Sequence, residues 1–117
     1  MKIEEFVREV RAEASKRRYI RRVEIVEEGL STAKILPVVR PEVKIQLYHN
    51  EKTGTTNLAL ILHDERIYGR NSHRGSWHRH PVERLWEHDT SREGTRPVSV
   101  SEFMKEIDKI VLERRLV

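Results

Sequence analysis

Apolar residues repeat with a helical period near both ends of the chain and with a period of two between them. The first stripe follows the i, i+3, i+4, i+7 spacing of one helix face and predicts a helix over residues 2–16. Acidic residues stand in its first turn and basic residues at its end, as the helix dipole favours. The stripe, which we expect to pack in the core, consists of Ile3, Phe6, Val7, Val10 and Ala14.

The middle of the chain has the pattern of an antiparallel sheet. Apolar residues alternate with charged or polar ones, as in strands that are buried on one face only. One more continuous apolar run contains Pro37, which predicts an edge strand or a bulge near the end of the strand. Because the connections are short, we expect a meander of four or five strands. The predicted strands cover residues 21–25, 32–39, 43–48, 55–62 and 66–70.

A second helix is predicted at the C-terminal end. Ser99 and Glu102 have the S-x-x-E spacing of a capping box, in which each side chain accepts a backbone N–H of the other residue. Phe103, Ile107 and Val111 then continue a helical apolar stripe. We therefore expect one α+β domain over residues 1–117, with an antiparallel β-sheet of four to five strands and an N-terminal and a C-terminal helix on one face.

Composition narrows the classes of function. The chain has no cysteine, which excludes disulfides, thiolate catalysis and cysteine-ligated zinc. No segment approaches the roughly 20 apolar residues of a membrane-spanning helix, and the N-terminus lacks the apolar region of a signal peptide. We expect a cytoplasmic protein with no membrane partner. The net charge of +4 permits a nucleic-acid partner through a local patch. The abundance of Glu, Lys and Arg is typical of a thermophile.

The segment Gly69–His88, which we call the histidine stretch, carries four of the six histidines and both tryptophans. His78 and His80 are two residues apart, and Pro81 favours an extended conformation of His80. Residues i and i+2 of an extended chain point to the same side. We therefore expect the two imidazoles to project together, with Trp77 on the other side as an anchor in the core.

This arrangement is compatible with several chemistries. The two imidazoles could ligate a metal together with Asp64, Glu83 or Asp89, act as an acid–base pair, or contact phosphate when protonated. The last two uses combine into a metal-independent ribonuclease that requires no cofactor. The alternatives are an RNA-binding module that does not cleave, a metal-binding protein, and a surface loop without chemistry. In the ribonuclease hypothesis the catalytic residues are His73, His78, His80 and Arg70, and the RNA-binding residues are Arg74, Arg79, Trp77 and Tyr68.

The order of these features resembles the TumE-type toxins of toxin–antitoxin operons. The residues that carry the resemblance are Tyr68, Arg70 and Asn71, then His73, then His78, Arg79 and His80, then the helix from Ser99. It extends over about residues 20–112 in the order of elements. The single histidines and the position of Pro81 after the cluster depart from the pattern of that family. The resemblance implies a toxin that acts on RNA or is held by an antitoxin protein.

Overall fold

The computed structural model of the chain describes residues 1–82 and 88–117, and these residues form two helices and a six-stranded sheet. All strands are antiparallel and each pairs with the next one along the chain, in the order β1-β2-β3-β4-β5-β6. The α+β class and the meander are confirmed, whereas the predicted number of strands is too low. The elements are α1 (Ile3–Ser15), β1 (Arg22–Glu28), β2 (Thr32–Arg40), β3 (Val43–Asn50), β4 (Thr55–Leu62), β5 (Glu65–His73), β6 (Ser76–His80) and α2 (Val100–Glu113).

Both predicted helices are present in the described residues. The capping box begins α2 as expected: the Glu102 backbone N–H donates to Ser99 Oγ over 3.1 Å, and the Ser99 N–H donates to Glu102 Oε1 over 3.0 Å. Val98 and Phe103 are buried on either side of this cap, as a hydrophobic staple requires. Neither described helix combines the length and apolarity that crossing a membrane would require.

The hydrophobic core lies between the two helices and one face of the sheet. The apolar stripes of α1 and α2 pack against the inward residues of β2 to β5, and the ring of Tyr68 stacks on that of Phe103 with centroids 6.1 Å apart. We call the other side of the sheet the open face, because both described helices pack on the core side. By strand alternation and register, the open face carries Lys34, Lys44, Gln46, Tyr48, Asn57, Ala59, Ile61, Gly69, Asn71, His78 and His80.

The sixth strand comes from the histidine stretch, in which no strand was predicted beyond residue 70. Its first part continues β5 to His73, and its middle forms β6. Arg74 and Gly75 join the two strands in a tight turn with φ of 52° and 82°, and positive φ at both turn residues matches the right-handed twist of a hairpin. The strand was missed because Trp77 is the one large apolar residue in it. Its pairing with β5 depends on backbone hydrogen bonds, which leave no periodic apolar signal.

Pro37 lies in β2, which has a neighbour on each side. Of the two predicted alternatives, an edge strand or a bulge, the structure has the second, because the register with β3 shifts between Val38 and Arg40. The bulge lies just after Pro37, near the end of the strand, and Pro37 itself is in register with Val23 of β1.

His49, one of the two histidines outside the histidine stretch, has a structural role. It belongs to β3 and is only 4% exposed. Its ring nitrogens lie 2.9 Å from Thr56 Oγ1 and 2.8 Å from the carbonyl oxygen of Met1. The ring also lies beside Phe6, with centroids 5.2 Å apart. His49 therefore attaches the start of α1 to the sheet.

Candidate metal centre

Three histidines meet at the β6 end of the open face. One ring nitrogen from each of His78, His80 and His88 lies within 4.8 Å of the other two. The rings of His78 and His88 are stacked with centroids 4.5 Å apart, and His80 meets both of them edge-on, at 5.2 Å from His78 and 4.6 Å from His88. We call these three residues the histidine cluster.

Two features of the backbone bring the cluster together. His78 and His80 share a face because they are two residues apart in β6, where they stand opposite Asn71 and Gly69 of β5. This confirms the expectation drawn from their spacing. Trp77, opposite Ser72, lies on the core side, where it packs against the core while remaining half-buried. The predicted anchor role of Trp77 agrees with this position.

The third histidine is positioned by the pairing of Arg79 in β6 with Asp89, which lies outside the hairpin. Arg79 and Asp89 form an antiparallel bridge, in which the Asp89 N–H donates to the Arg79 carbonyl over 2.8 Å. The Arg79 guanidinium adds hydrogen bonds to Asp89 Oδ2 from Nε (2.9 Å) and Nη2 (2.5 Å). In antiparallel pairing the residues that flank such a pair also stand opposite each other, so this bridge places His88 across from His80 on the same face.

Asp89 therefore has a positioning role. Hydrogen bonds from Ser91 lower the pKa of its carboxyl to about 2, and Arg79 contributes to the same shift. Asp89 was one of three predicted third metal ligands, but its carboxylate is engaged by Arg79 and Ser91. Asp64, the second, is exposed in the turn between β4 and β5. Glu83, the third, lies outside the described residues. The third imidazole of the cluster comes from His88 instead.

The surroundings of His78 favour its neutral imidazole. Burial lowers the pKa of His78, and the charges of His88 and Arg66 lower it further. Neutral imidazole is the form that binds metals. Arg66 also stands on the open face, where it is opposite Ile61 of β4.

Two of the predicted catalytic residues lie elsewhere. Arg70 is fully buried on the core side, where it donates to Glu106 Oε1 over 3.1 Å, to Glu106 Oε2 over 2.6 Å and to the Glu93 carbonyl over 2.8 Å. Burial opposes its charge, but the hydrogen bonds and charge of Glu106 outweigh that effect and raise the pKa of the guanidinium. His73 is exposed at the end of β5, with Nδ1 lying 3.0 Å from Thr55 Oγ1. The structure thus brings His78 and His80 together without Arg70 or His73.

The predicted RNA-binding residues do not form one exposed surface. Tyr68 is buried on the core side and donates to Glu106 over 2.8 Å. Trp77 and Arg79 also face the core side, and Arg74 alone is exposed, in the hairpin turn. Tyr68 and Arg79 line a cleft of about 390 Å³ between β6 and α2, yet the hydroxyl of one and the guanidinium of the other are engaged by Glu106 and Asp89. Arg84 and Trp86 of the histidine stretch lie outside the described residues.

His88 is the member of the cluster that the sequence reasoning did not select. It is eight residues beyond His80, and nothing in that spacing shows that the chain returns to β6. The available signal was Asp89 beside it, which has the charge to pair with an arginine in β6. His63, which lies outside the histidine stretch, is exposed in the β4–β5 turn with a left-handed φ of 48°.

Comparison with protein-family models, with curated proteins and with solved structures finds no match. The resemblance to TumE-type toxins, and with it the antitoxin partner, therefore stays a prediction. The geometry of the histidine cluster and of the sheet face beside it is what points to a function.

Proposed function

We propose that this protein binds a transition-metal ion, with zinc the best fit, through His78, His80 and His88. The observation that carries the proposal is the approach of three imidazole nitrogens to within 4.8 Å of one another. Histidine suits zinc, copper, iron and nickel, whereas calcium and magnesium prefer oxygen ligands. Because the chain has no cysteine, histidine and methionine are the softest metal ligands that it offers.

The distances require only a small adjustment for zinc. Zinc–nitrogen bonds of about 2.0–2.1 Å in tetrahedral geometry place ligand nitrogens roughly 3.4 Å apart. Starting from 4.8 Å, the widest pair would close by roughly 1.4 Å. His80 is held in β6 and is buried, whereas His88 is exposed and lies outside the strands. Rotation of the His88 side chain supplies most of that movement.

Within residues 1–82 and 88–117, which the structure describes, the three histidines leave a fourth position on a tetrahedral ion. Zinc sites with three protein ligands and one open position are typical of catalysis, since the ion acidifies a bound water to a pKa of about 7 or polarises a substrate oxygen. Arg66, whose charge already acts on His78, would favour an anionic oxygen near that position. These properties support a hydrolytic centre in preference to a closed structural site.

The proposal is tested by zinc titration of the untagged chain in a calorimeter. We expect one equivalent of zinc to bind. His80→Ala and His88→Ala each remove a metal ligand, so each should weaken zinc binding by at least about 100-fold, the upper end of the loss seen when a residue that only hydrogen-bonds to a ligand is removed. His63→Ala and His73→Ala are matched controls, because both residues are exposed and outside the cluster. The proposal fails if the parent binds no zinc, or if His73→Ala weakens binding as much as His88→Ala.

The metal-independent ribonuclease predicted from the sequence is the competing function. It would now use His78 and His80 as acid and base, with Arg66 in place of Arg70 as the cation near the phosphate. The two functions differ in their response to a chelator. RNA cleavage that is unchanged in chelator would favour the ribonuclease, and a hydrolytic activity that disappears in chelator and returns with zinc would favour the metal centre.

A further inference from the structure

A polar row crosses the open face and ends at the histidine cluster. Lys34 pairs with Tyr48, Tyr48 with Asn57, Asn57 with Asn71, and Asn71 with His78, so these five residues are successive neighbours from β2 to β6. Directly paired residues project on the same side of a sheet. With strands about 4.8 Å apart, the row is roughly 19 Å long.

The residues of this row are joined by hydrogen bonds at the end nearest the cluster. With its amide oriented to satisfy its neighbours, Asn71 donates to Asn57 Oδ1 over 2.8 Å and accepts from Arg66 Nη1 over 3.3 Å. The arginine is therefore held against the row beside Asn71, which stands opposite His78.

Two small residues lie beside the row. Ala59 and Gly69 are paired, buried neighbours in β4 and β5, and Gly69 stands opposite His80. The Arg66 side chain lies over Gly69, since a Cβ added there would come within 3.3 Å of Arg66 Cδ. Small residues thus let the arginine lie flat along the sheet instead of extending into solvent.

Charge is distributed unevenly over the open face. Lys34, Lys44 and Arg66 supply positive charge from β2 to β5, whereas Glu24 and Glu27 stand opposite Leu36 and Lys34 at the β1 edge. A polyanion is attracted to the first region. At the β1 edge Glu24 is paired with Arg22 over 3.0 Å, and Glu27 carries the remaining negative charge. The path of a polyanion would therefore run from β2 toward the histidine cluster.

The chemistry of this face matches single-stranded nucleic acid. Lysine and arginine contact phosphates and a tyrosine ring stacks on a base. The Asn71 amide, engaged by Asn57 and Arg66, holds the arginine in place on this surface. A sheet surface that presents these groups in a row can bind a short run of nucleotides, near the lower end of the range of about 4–16 per single-strand module.

We propose that the open face binds single-stranded nucleic acid along the row Lys34–Tyr48–Asn57–Asn71, with the strand passing Arg66 and ending at the histidine cluster. This inference rests on the proposed function where it places a phosphodiester at the metal centre. The binding surface itself needs no metal. It replaces the surface predicted from the sequence, which used Tyr68, Trp77 and Arg79 on the core side.

The test is fluorescence anisotropy with a labelled dodecamer of uridylate and the full chain, in chelator and with zinc. Tyr48→Leu should raise Kd by roughly 5- to 150-fold through the lost stacking. Lys34→Met should weaken binding and reduce the slope of log K against log salt by about 1. Lys105→Met is the matched control, because Lys105 is exposed on α2. Circular dichroism would establish that each variant is folded.

The outcomes separate this inference from the proposed function. The surface is supported if the protein binds the oligonucleotide in chelator, and if Tyr48→Leu and Lys34→Met weaken this binding whereas Lys105→Met does not. This conclusion holds even where the zinc titration fails. Equal weakening by Lys105→Met, equal affinity for a duplex of the same length, or no binding by a folded parent overturns the inference, whatever the zinc result.

Discussion

Removing the Glu106 carboxylate should destabilise the fold strongly, because it would leave a buried guanidinium without its main partner. Glu106 accepts three hydrogen bonds: one from the Tyr68 hydroxyl at 2.8 Å, and two from Arg70 at 3.1 Å and 2.6 Å. Arg70 is fully buried, so its guanidinium would lose most of the charge that compensates its burial. Breaking a buried ion pair by removing one partner costs about 3–5 kcal/mol.

The expected loss for Glu106→Ala lies at the lower end of that range. The Glu106 side chain is 23% exposed, and Arg70 keeps two contacts with Glu93, at the carbonyl and at Oε1. We therefore expect a decrease in the free energy of unfolding of about 3 kcal/mol, measured by urea denaturation. The midpoint should shift while the m value stays constant. Glu93→Ala should shift the midpoint far less, since the Glu93 side chain is 54% exposed.

A double-mutant cycle tests the stated cause. In an Arg70→Met background the charge is absent, so adding Glu106→Ala should cost much less than it does in the parent. A loss of under about 1 kcal/mol for Glu106→Ala alone would refute the reasoning. An equal loss in both backgrounds would also refute it, because the cost would then come from helix or packing effects unrelated to the guanidinium.

Three further predictions concern the supports of the site. Trp77→Ala should cost about 2–3 kcal/mol in urea denaturation, less than the roughly 3–5 kcal/mol of a fully buried aromatic ring, because Trp77 is half-buried; a change within about 0.5 kcal/mol would contradict its anchor role. Ser99→Ala should cost about 1 kcal/mol through the lost cap, and should leave zinc binding unchanged in calorimetry. Burial, followed by the hydrogen bond to Glu106, raises the pKa of Tyr68 to about 12. A free tyrosine ionises near pH 10, so the resulting stability is present below about pH 10 and is lost as the pH rises to about 12. Between these limits the parent should lose about 2–3 kcal/mol more than Tyr68→Phe in urea denaturation, and equal losses would contradict this origin of the shift.

Several elements could be predicted from the sequence because their signals are local. The period of the apolar residues predicted α1, α2 and the strands up to β4, and the spacing of Ser99 and Glu102 predicted the cap that begins α2. The shared face of His78 and His80 followed from backbone alternation alone. Each of these properties depends on residues that are only a few positions apart in the sequence.

The composition of the site depended on contacts between residues distant in sequence. Arg70 was predicted to be catalytic, but its environment is set by Glu106, which is 36 residues later in the chain. His88 joined the cluster because Arg79 pairs with Asp89, and neither residue reveals this pairing by its spacing.

The polar row of the open face likewise required the register of five strands. The sequence determined which segments are helices or strands and which side chains can ligate, ionise or stack. Only the tertiary structure decided which of these side chains meet, because a shift of one residue in strand register moves every side chain to the other face of the sheet.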